Sequence, residues 1–211
     1  MTYVYFDVGA NWGEKSLPGA KQNQDWKVFA FEPTPHLAMN LLHQSMMFRD
    51  RYEVIQLALS DYNGSAEFNI QNHPGQGCNS LNDFNDGLDK IFPHFVNETR
   101  NDMKVIQKIS VKVSRLDTWF NSISFPYETI DYFKCDVQGS DLKVLQGMGD
   151  FIHLIAAGEV ECSRSPKTRL YKNNNVLEET VEFLKEKGFR VPKILSNDHL
   201  DNEYNIHFER V

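Results

Sequence analysis

One stretch near the start, Tyr3-Val4-Tyr5-Phe6-Asp7-Val8-Gly9-Ala10-Asn11-Trp12-Gly13, restricts what this chain can fold into more than any other. Its first half is a short apolar run rich in aromatic and β-branched residues, the pattern of a buried strand. It then breaks into Asp-x-Gly-Ala-Asn-x-Gly ahead of a helix-compatible segment. Two glycines let the backbone turn tightly and let a ligand approach where a Cβ would stand in the way. The following helix offers free N–H groups, and Asp7 ends the strand with a carboxylate. Gly9-x-x-x-Gly13 does not fit the Gly-x-Gly-x-x-Gly pattern of dinucleotide folds, which argues against a nicotinamide oxidoreductase.

Strand and helix patterns alternate from there. Residues 14–24 suit a short, imperfect helix interrupted by Pro18 and Gly19, and Trp26–Phe31 reads as a second strand closed by Glu32-Pro33. Leu37, Leu41, Leu42, Met46 and Phe48 recur at helical spacing, which predicts a helix over 35–49 packing on the sheet. Val54–Leu59 is a third strand. Alternation in 65–70 and again in 105–113 predicts an inserted antiparallel pair flanking an irregular segment, 71–103, of a length that is usually functional or mobile. Leu116–Phe120 suits a short helix. Ile130–Asp136 is a fourth strand, followed by a helix bearing Leu142, Val144, Leu145 and Met148, with Ser140 or Asp141 as its cap. His153–Glu161 is a fifth strand, and residues 176–187 an amphipathic helix stopping at Gly188. Strands near 189–195 and 204–209 form a closing hairpin. With right-handed crossovers this gives an α/β fold with a mostly parallel seven-stranded sheet, an antiparallel last strand and an inserted antiparallel pair. A single domain, 1–211, is expected, with an insertion at about 63–113.

Composition bears mainly on partners and compartment. A hydrophobic fraction of 41% and a charged fraction of 24% are ordinary for a globular protein, while a net charge of −7 argues against nucleic acid or an anionic membrane as partner. Cys78, Cys135 and Cys162 are too few and scattered for a disulfide framework or zinc site. There is no apolar run of membrane-span length and no basic-then-apolar leader, so a reduced, cytoplasmic setting is expected. The first strand begins almost at Met1, which fits either a minimal fold with an open pocket or one segment of a longer chain.

In open α/β sheets, ligands sit beyond the carboxyl ends of the strands where strand order reverses. Four expected strands end in acids: Asp7, Glu32, Asp136, and Glu159 or Glu161. A positively charged ligand suits a turn carrying Asp7 better than a pyrophosphate does. The turn therefore reads as a pocket for the aminoacyl end of S-adenosylmethionine. Glu32 follows Gly13 by 19 residues, close to the spacing of about 20 at which an acid grips ribose hydroxyls. Its alternative role is a charge favoured at a helix N-terminus.

Six short motifs then occur in order: Asp7-Val-Gly-Ala-Asn-x-Gly13, Phe31-Glu32-Pro33, Ala58-Leu59-Ser60-Asp61-x-x-Gly64, Asn79-Ser80-Leu81, Leu116-Asp117 and Lys134-x-Asp136-Val-Gln-Gly139. As an ordered set, from residue 3 to about residue 162, they resemble the FkbM-type methyltransferases. The resemblance implies a Rossmann-like class I methyltransferase fold and methyl transfer from S-adenosylmethionine to an oxygen, commonly on a sugar or polyketide hydroxyl. It departs from the family at Gln138, where that motif often carries a glutamate. Carried over, Gly9, Ala10, Asn11 and Gly13 would line the methionine side, Glu32 the ribose, and Ser60 and Asp61 the adenine; Asp61 has an equal claim as a turn former before Asn63-Gly64.

Displacement at a sulfonium methyl depends on holding the acceptor oxygen in line and on a base to take its proton. Asp136 is the first candidate base, with a rival role binding the cofactor's amino group. Lys134, two residues earlier on the same strand face, could orient it by charge. Glu161 is the second candidate and His153 a weaker one. The irregular segment should supply the acceptor pocket, with His73, Asn79, Ser80 and His94 contacting a polyol and Phe84, Phe92 and Phe95 stacking on a sugar face. No metal is expected, the pair Asp136 and Glu161 being too sparse to hold one. The favoured acceptor is a sugar hydroxyl of a glycan or glycoconjugate, the chain acting as a domain of a longer protein or as a partner of glycosyltransferases. Ribose 2′-O-methylation of RNA and a non-catalytic cofactor-binding scaffold are the alternatives.

Overall fold

The computed structural model describes residues 1–72, 75–93 and 104–211. In chain order the elements are β1 (Tyr3–Val8), α1 (Ser16–Gln22), β2 (Trp26–Phe31), α2 (Pro35–Gln44), β3 (Tyr52–Ile55), β4 (Ala58–Leu59), β5 (Gly64–Gln71) and α3 (Leu88–Ile91). There follow β6 (Val105–Ser114), α4 (Leu116–Ser122), β7 (Tyr132–Cys135), α5 (Asp141–Gln146), β8 (Ala157–Ser163), α6 (Leu177–Glu186), β9 (Phe189–Ser196) and β10 (Glu203–Arg210). No helix among the described residues is long and apolar enough to cross a membrane.

Seven strands form one sheet in the order β3-β2-β1-β7-β8-β10-β9. Neighbours from β3 through β8 are parallel, and β10 runs antiparallel to both β8 and β9. This is the mostly parallel sheet with a reversed last strand that the pattern implied. The expected inserted pair is present as β5 against β6, antiparallel, and β4 joins it alongside β6 to make a second, three-stranded sheet.

Period-two alternation divides the core. Val4, Phe6 and Val8 of β1 join the large cluster with Phe29, Phe31, Phe133, Trp119 and Phe120, while Tyr5 faces the other side with Val28, Ala30 and Tyr52. Leu17 and Ala20 of α1 and Leu41 of α2 cover that second face. Helix α1 forms despite its sequence because Pro18 lies in the first turn, where no intrahelical N–H is lost. A Cβ on Gly19 would stand 2.3 Å from the Trp26 ring, so the glycine is what lets the helix lie flat on β2.

Three elements differ from expectation. The strand expected over 54–59 divides. Its first half pairs with β2 and Ala58–Leu59 leaves to pair with β6. Helix α2 stops at Gln44, where Ser45 leaves helical geometry (φ −91, ψ 1) and its hydroxyl bonds back to Leu41 O at 2.8 Å. Leu42, on the outer face of α2, and Met46, beyond its end, are exposed and do not pack on the sheet. The fifth strand starts at Ala157, since Gly149, with φ +54, opens a 3₁₀ turn that runs to Leu154 and carries an exposed His153.

The strand order reverses between β1 and β7: the chain builds outward from β1 to β3, returns, and builds outward again from β7 to β8. In open α/β sheets ligands bind at such a divide.

Candidate active site

The turn after β1 meets the end of β7 backbone to backbone. Asp136 N donates to Val8 O at 3.0 Å, and a Cβ on Gly9 (φ +75) would come within 1.9 Å of Asp136 O. Only glycine allows that approach. Gly9 N and Ala10 N both donate to Phe31 O at 3.0 Å, drawing the turn over the end of β2. This brings Asn11 N to the Glu32 carboxylate, donating to Oε2 at 2.8 Å, while Thr34 N donates to Oε1 at 2.8 Å. Burial raises the Glu32 pKa, opposed by its Thr34 and Asn11 hydrogen bonds and by the Lys134 charge. Two backbone donors fix this carboxylate and leave it lone pairs for a diol.

Beneath the turn lies a buried ion pair. Asp7 is fully enclosed; its Oδ2 accepts the Ser16 hydroxyl proton at 2.6 Å, and its Oδ1 lies 3.3 Å from Lys134 Nζ. Lys134 Nζ also donates to Gly9 O at 2.7 Å and stands 3.9 Å from Asp136 Oδ2. Burial pulls the Lys134 pKa down, but the Asp7 and Asp136 carboxylates outweigh it and hold the ammonium charged. Lys134 thereby ties the first-strand acid, the glycine turn and the fourth-strand acid together.

Above the pair, Gln138 Nε2 donates to Asp136 Oδ1 (2.7 Å) and to Glu161 Oε2 (3.1 Å), and Tyr171 OH donates to Gln138 Oε1 (2.8 Å). Glu161 also accepts from Asn197 Nδ2. Burial, then Asp136, Glu203 and Asp141, push the Glu161 pKa well above the usual carboxylate range. Asp141 sends its side chain back to Val137 N and Gly139 N at 2.9 and 3.1 Å, so it closes the turn ahead of α5, while the Ser140 hydroxyl accepts from Asn82 Nδ2 at 2.8 Å.

These groups surround an open-mouthed cleft with an interior volume of about 180 Å³. Gly9, Ala10, Asn11, Glu32, Asn79, Lys134 and Asp136 line it. Its wall beyond Glu32 is apolar, formed by Leu37, Leu57, Ala58, Leu59 and Phe68. Other residues anticipated for the site lie behind its walls. Asp7 is sealed under the turn by Lys134 and Ser16. The space a Gly13 side chain would need is filled by Leu17 and Leu41. Ser60 is buried, with its carbonyl against Gly147, and its hydroxyl donates to Asp61 at 3.1 Å. It is therefore Leu57–Leu59, just before the anticipated pair, that reach the cleft. Ser80 uses its hydroxyl on Gln138 O at 2.6 Å, and Glu161 stands behind Gln138. Phe92 is buried, and Phe84 stacks on Tyr171 at 5.2 Å, so both serve a small core under the insertion instead of an open sugar face. His73, His94 and Phe95 lie outside the described residues.

Gln138, Tyr171 and Phe68 were not anticipated as site residues. Phe68 enters because β4 and β5 fold back on the cleft, a tertiary arrangement with no local signal. Residues of the insertion also cross the turn. Trp12 Nε1 donates to Gly75 O at 3.1 Å, and His36 Nε2 meets Gln76 Oε1 at 2.8 Å. Among the described residues no group of three or more His, Cys, Asp or Glu could hold a metal ion.

A family model described as the methyltransferase FkbM domain matches residues 7–191. The 2-O-methyltransferase NoeI of Sinorhizobium fredii (strain NBRC 101917 / NGR234) is 27% identical over 150 residues, 68% of this chain and 56% of that protein. The chain thus spans little more than half the length of this relative. Among solved structures, the fibrillarin/Nop5p complex aligns with 99% of this chain and 73% of its own at 12% identity and a TM-score of 0.52. An O-methyltransferase family 2 protein from Planctomyces limnophilus DSM 3776, in complex with apigenin, aligns with 99% of this chain and 51% of its own at 11% identity and a TM-score of 0.50. At such identities the likeness is one of fold.

Proposed function

The chain belongs to the FkbM methyltransferase family, and from that membership we propose that it is an S-adenosylmethionine-dependent O-methyltransferase acting on a sugar hydroxyl of a glycan or glycoconjugate. The observation that carries this reading is the division of one cleft into three chemically distinct parts. Glu32, held by two backbone N–H groups, offers a carboxylate suited to a ribose diol. The apolar wall of Leu57, Ala58, Leu59 and Phe68 suits a flat base. Asp136, at the far end, gives negative charge for an ammonium or sulfonium group. The residues present therefore fit the cofactor, which when bound supplies an electrophilic methyl group.

What the chain itself contributes is placement and proton removal. The Gly9 turn and Lys134 hold the cofactor side rigid. Asp136 lies 39% exposed on the cleft and can accept the proton of an acceptor hydroxyl. A sugar presents several hydroxyls as hydrogen-bond donors, which suits a rim of carboxylate and amide oxygens. The net charge of −7 disfavours an RNA acceptor.

Calorimetry with S-adenosylmethionine, followed by transfer from a radiolabelled cofactor to a panel of oligosaccharides, tests the reading. Micromolar binding and label on a sugar are expected. No binding rejects the cofactor, and binding without transfer to any member rejects the acceptor class.

A further inference from the structure

Gln138 has unusual surroundings for a neutral side chain. Its backbone sits at φ +59, a region that disfavours a residue of this type. It is held there by the Ser80 hydroxyl, which donates to its carbonyl at 2.6 Å. Observed strain of this kind, at a cleft, is a reason to look for a role. Its amide nitrogen faces two carboxylates that can only accept while ionised, Asp136 Oδ1 at 2.7 Å and Glu161 Oε2 at 3.1 Å. Its oxygen faces the Tyr171 hydroxyl at 2.8 Å. Its amide protons thus point at two carboxylates, and its oxygen borders the Tyr171 hydroxyl, whose single proton it shares with Cys78 O. Tyr171 cannot drift, since it is fully buried, its OH also lies 2.9 Å from Cys78 O, and Phe84 stacks on its ring.

From this geometry we infer that Gln138 is a positioning residue for the transfer reaction: clamped by Tyr171, it holds one oxygen of Asp136 so that the other is presented to the acceptor hydroxyl, and it links Asp136 to the protonation of Glu161. The inference rests on the proposed function for its kinetic consequence but not for its structural one. Among the described residues, Asp136 Oδ2, on the Lys134 side, has the Lys134 ammonium at 3.9 Å as its facing donor. The proton leaves the acceptor oxygen for Asp136 as that oxygen gains the methyl, so a carboxylate swinging freely would often point away. Coupling to Glu161 follows from sharing one nitrogen. Glu161 is surrounded by Asp136 just beyond β7, Lys134 from β7, Asp141 from α5 and Glu203 from β10, with the Asn197 amide on its other oxygen. Burial among those acids raises its pKa, so its charge changes at a higher pH than that of an ordinary glutamate.

Two measurements test this, one of which needs no turnover. In the protein alone, the Gln138 side-chain amide resonances, assigned by ¹H–¹⁵N NMR, should move with pH in steps, and Glu161→Gln should remove the higher step. Resonances that do not move between pH 4 and 9, or that move identically in Glu161→Gln, overturn the inference whether or not the chain transfers methyl groups. In the transfer assay, Gln138→Met keeps the side chain's length and removes its hydrogen bonds. It should lower kcat by about tenfold to a hundredfold while the cofactor Kd stays within about threefold. Gln138→Glu should move the acid limb of the kcat–pH profile upward by adding a third carboxylate. Wild-type kcat in Gln138→Met, together with an unmoved limb in Gln138→Glu, overturns it. Absence of transfer by the wild type counts against the proposed function and leaves the NMR result to decide.

Discussion

The two ends of the cleft hold their carboxylates by different means. Glu32 is fixed by main-chain N–H groups of Asn11 and Thr34, so its place follows from the crossing of the glycine turn over β2. Asp136 is fixed by side chains, Lys134 below and Gln138 beside it. A group held by backbone keeps its position whatever its neighbours mutate to, which suits a part of the ligand that never changes. A group held by side chains can be retuned by one substitution, which suits the end where an acceptor must be chosen. The same contrast separates the sheets. The seven-stranded sheet builds the turn and both acids, whereas the three-stranded one contributes apolar wall at Phe68 and Leu59.

The comparison breaks first, if it is mistaken, at Lys134. Lys134→Met would leave Asp7 fully enclosed with, among the described residues, only the Ser16 hydroxyl as donor. Removing one partner of a buried pair costs about 3–5 kcal/mol, measurable as a lower urea midpoint at unchanged m-value. A loss below about 1 kcal/mol would mean that the turn does not depend on this lysine. Asp136→Asn comes next. It should lower kcat by about 10²–10⁴-fold, with the melting temperature within a few degrees of wild type. Turnover at the wild-type rate would remove Asp136 as the base.

A smaller effect is expected at the backbone-held end. Glu32→Ala takes away the carboxylate proposed to bind the ribose and leaves the Asn11 and Thr34 N–H groups without it, so the Kd for S-adenosylmethionine should rise about tenfold or more. An unchanged titration would separate Glu32 from the cofactor. This end was also the more legible in the sequence. The Gly9–Gly13 turn, the acid 19 residues further on and the parallel strands around them are all local patterns of fixed spacing. The other end was half legible. Asp136 and Lys134 follow from a strand ending in an acid, but Tyr171 comes from a loop that carries no motif, and its meeting with Gln138 spans 33 positions. Ser60 and Asp61 directly follow the residues that line the cleft. The chain leaves one sheet for another at Gln56-Leu57, and that shift turns Leu57–Leu59 toward the cleft. Nothing in the six residues Val54–Leu59, five of them apolar, marks where the chain will change sheets.

The smallest expected effect concerns pH and sharpens the contrast from the side of the acids. Burial, with Asp198, Asp136 and Asp141 adding to it, raises Glu203 to about 8. Burial and the Asp136 charge likewise raise Asp141 to about 7, against its bonds from Val137, Gly139 and its own N–H. Both groups hold a proton in the folded chain that they would release when unfolded. Below the ordinary carboxylate pKa, folded and unfolded states are both protonated and the contribution of each group is fully present. As pH rises from there the unfolded chain gives up its protons first, and the stability contribution falls until pH passes about 7 for Asp141 and about 8 for Glu203. For one proton the slope is at most about 1.4 kcal/mol per pH unit. Urea unfolding between pH 5 and 9 should therefore show stability declining toward the alkaline side. Glu203→Gln, which mimics the protonated acid at a position whose Oε1 has no hydrogen-bond partner among the described residues, should flatten that decline between pH 7 and 8. Glu32 lies at the other end of the cleft and does not appear among the charges acting on Glu203. Glu32→Gln should leave the Glu203 slope as it is. A flat or rising profile in the wild type, or one that Glu203→Gln leaves unaltered, would show that the acids at the Asp136 end are not pressed together as the packing requires.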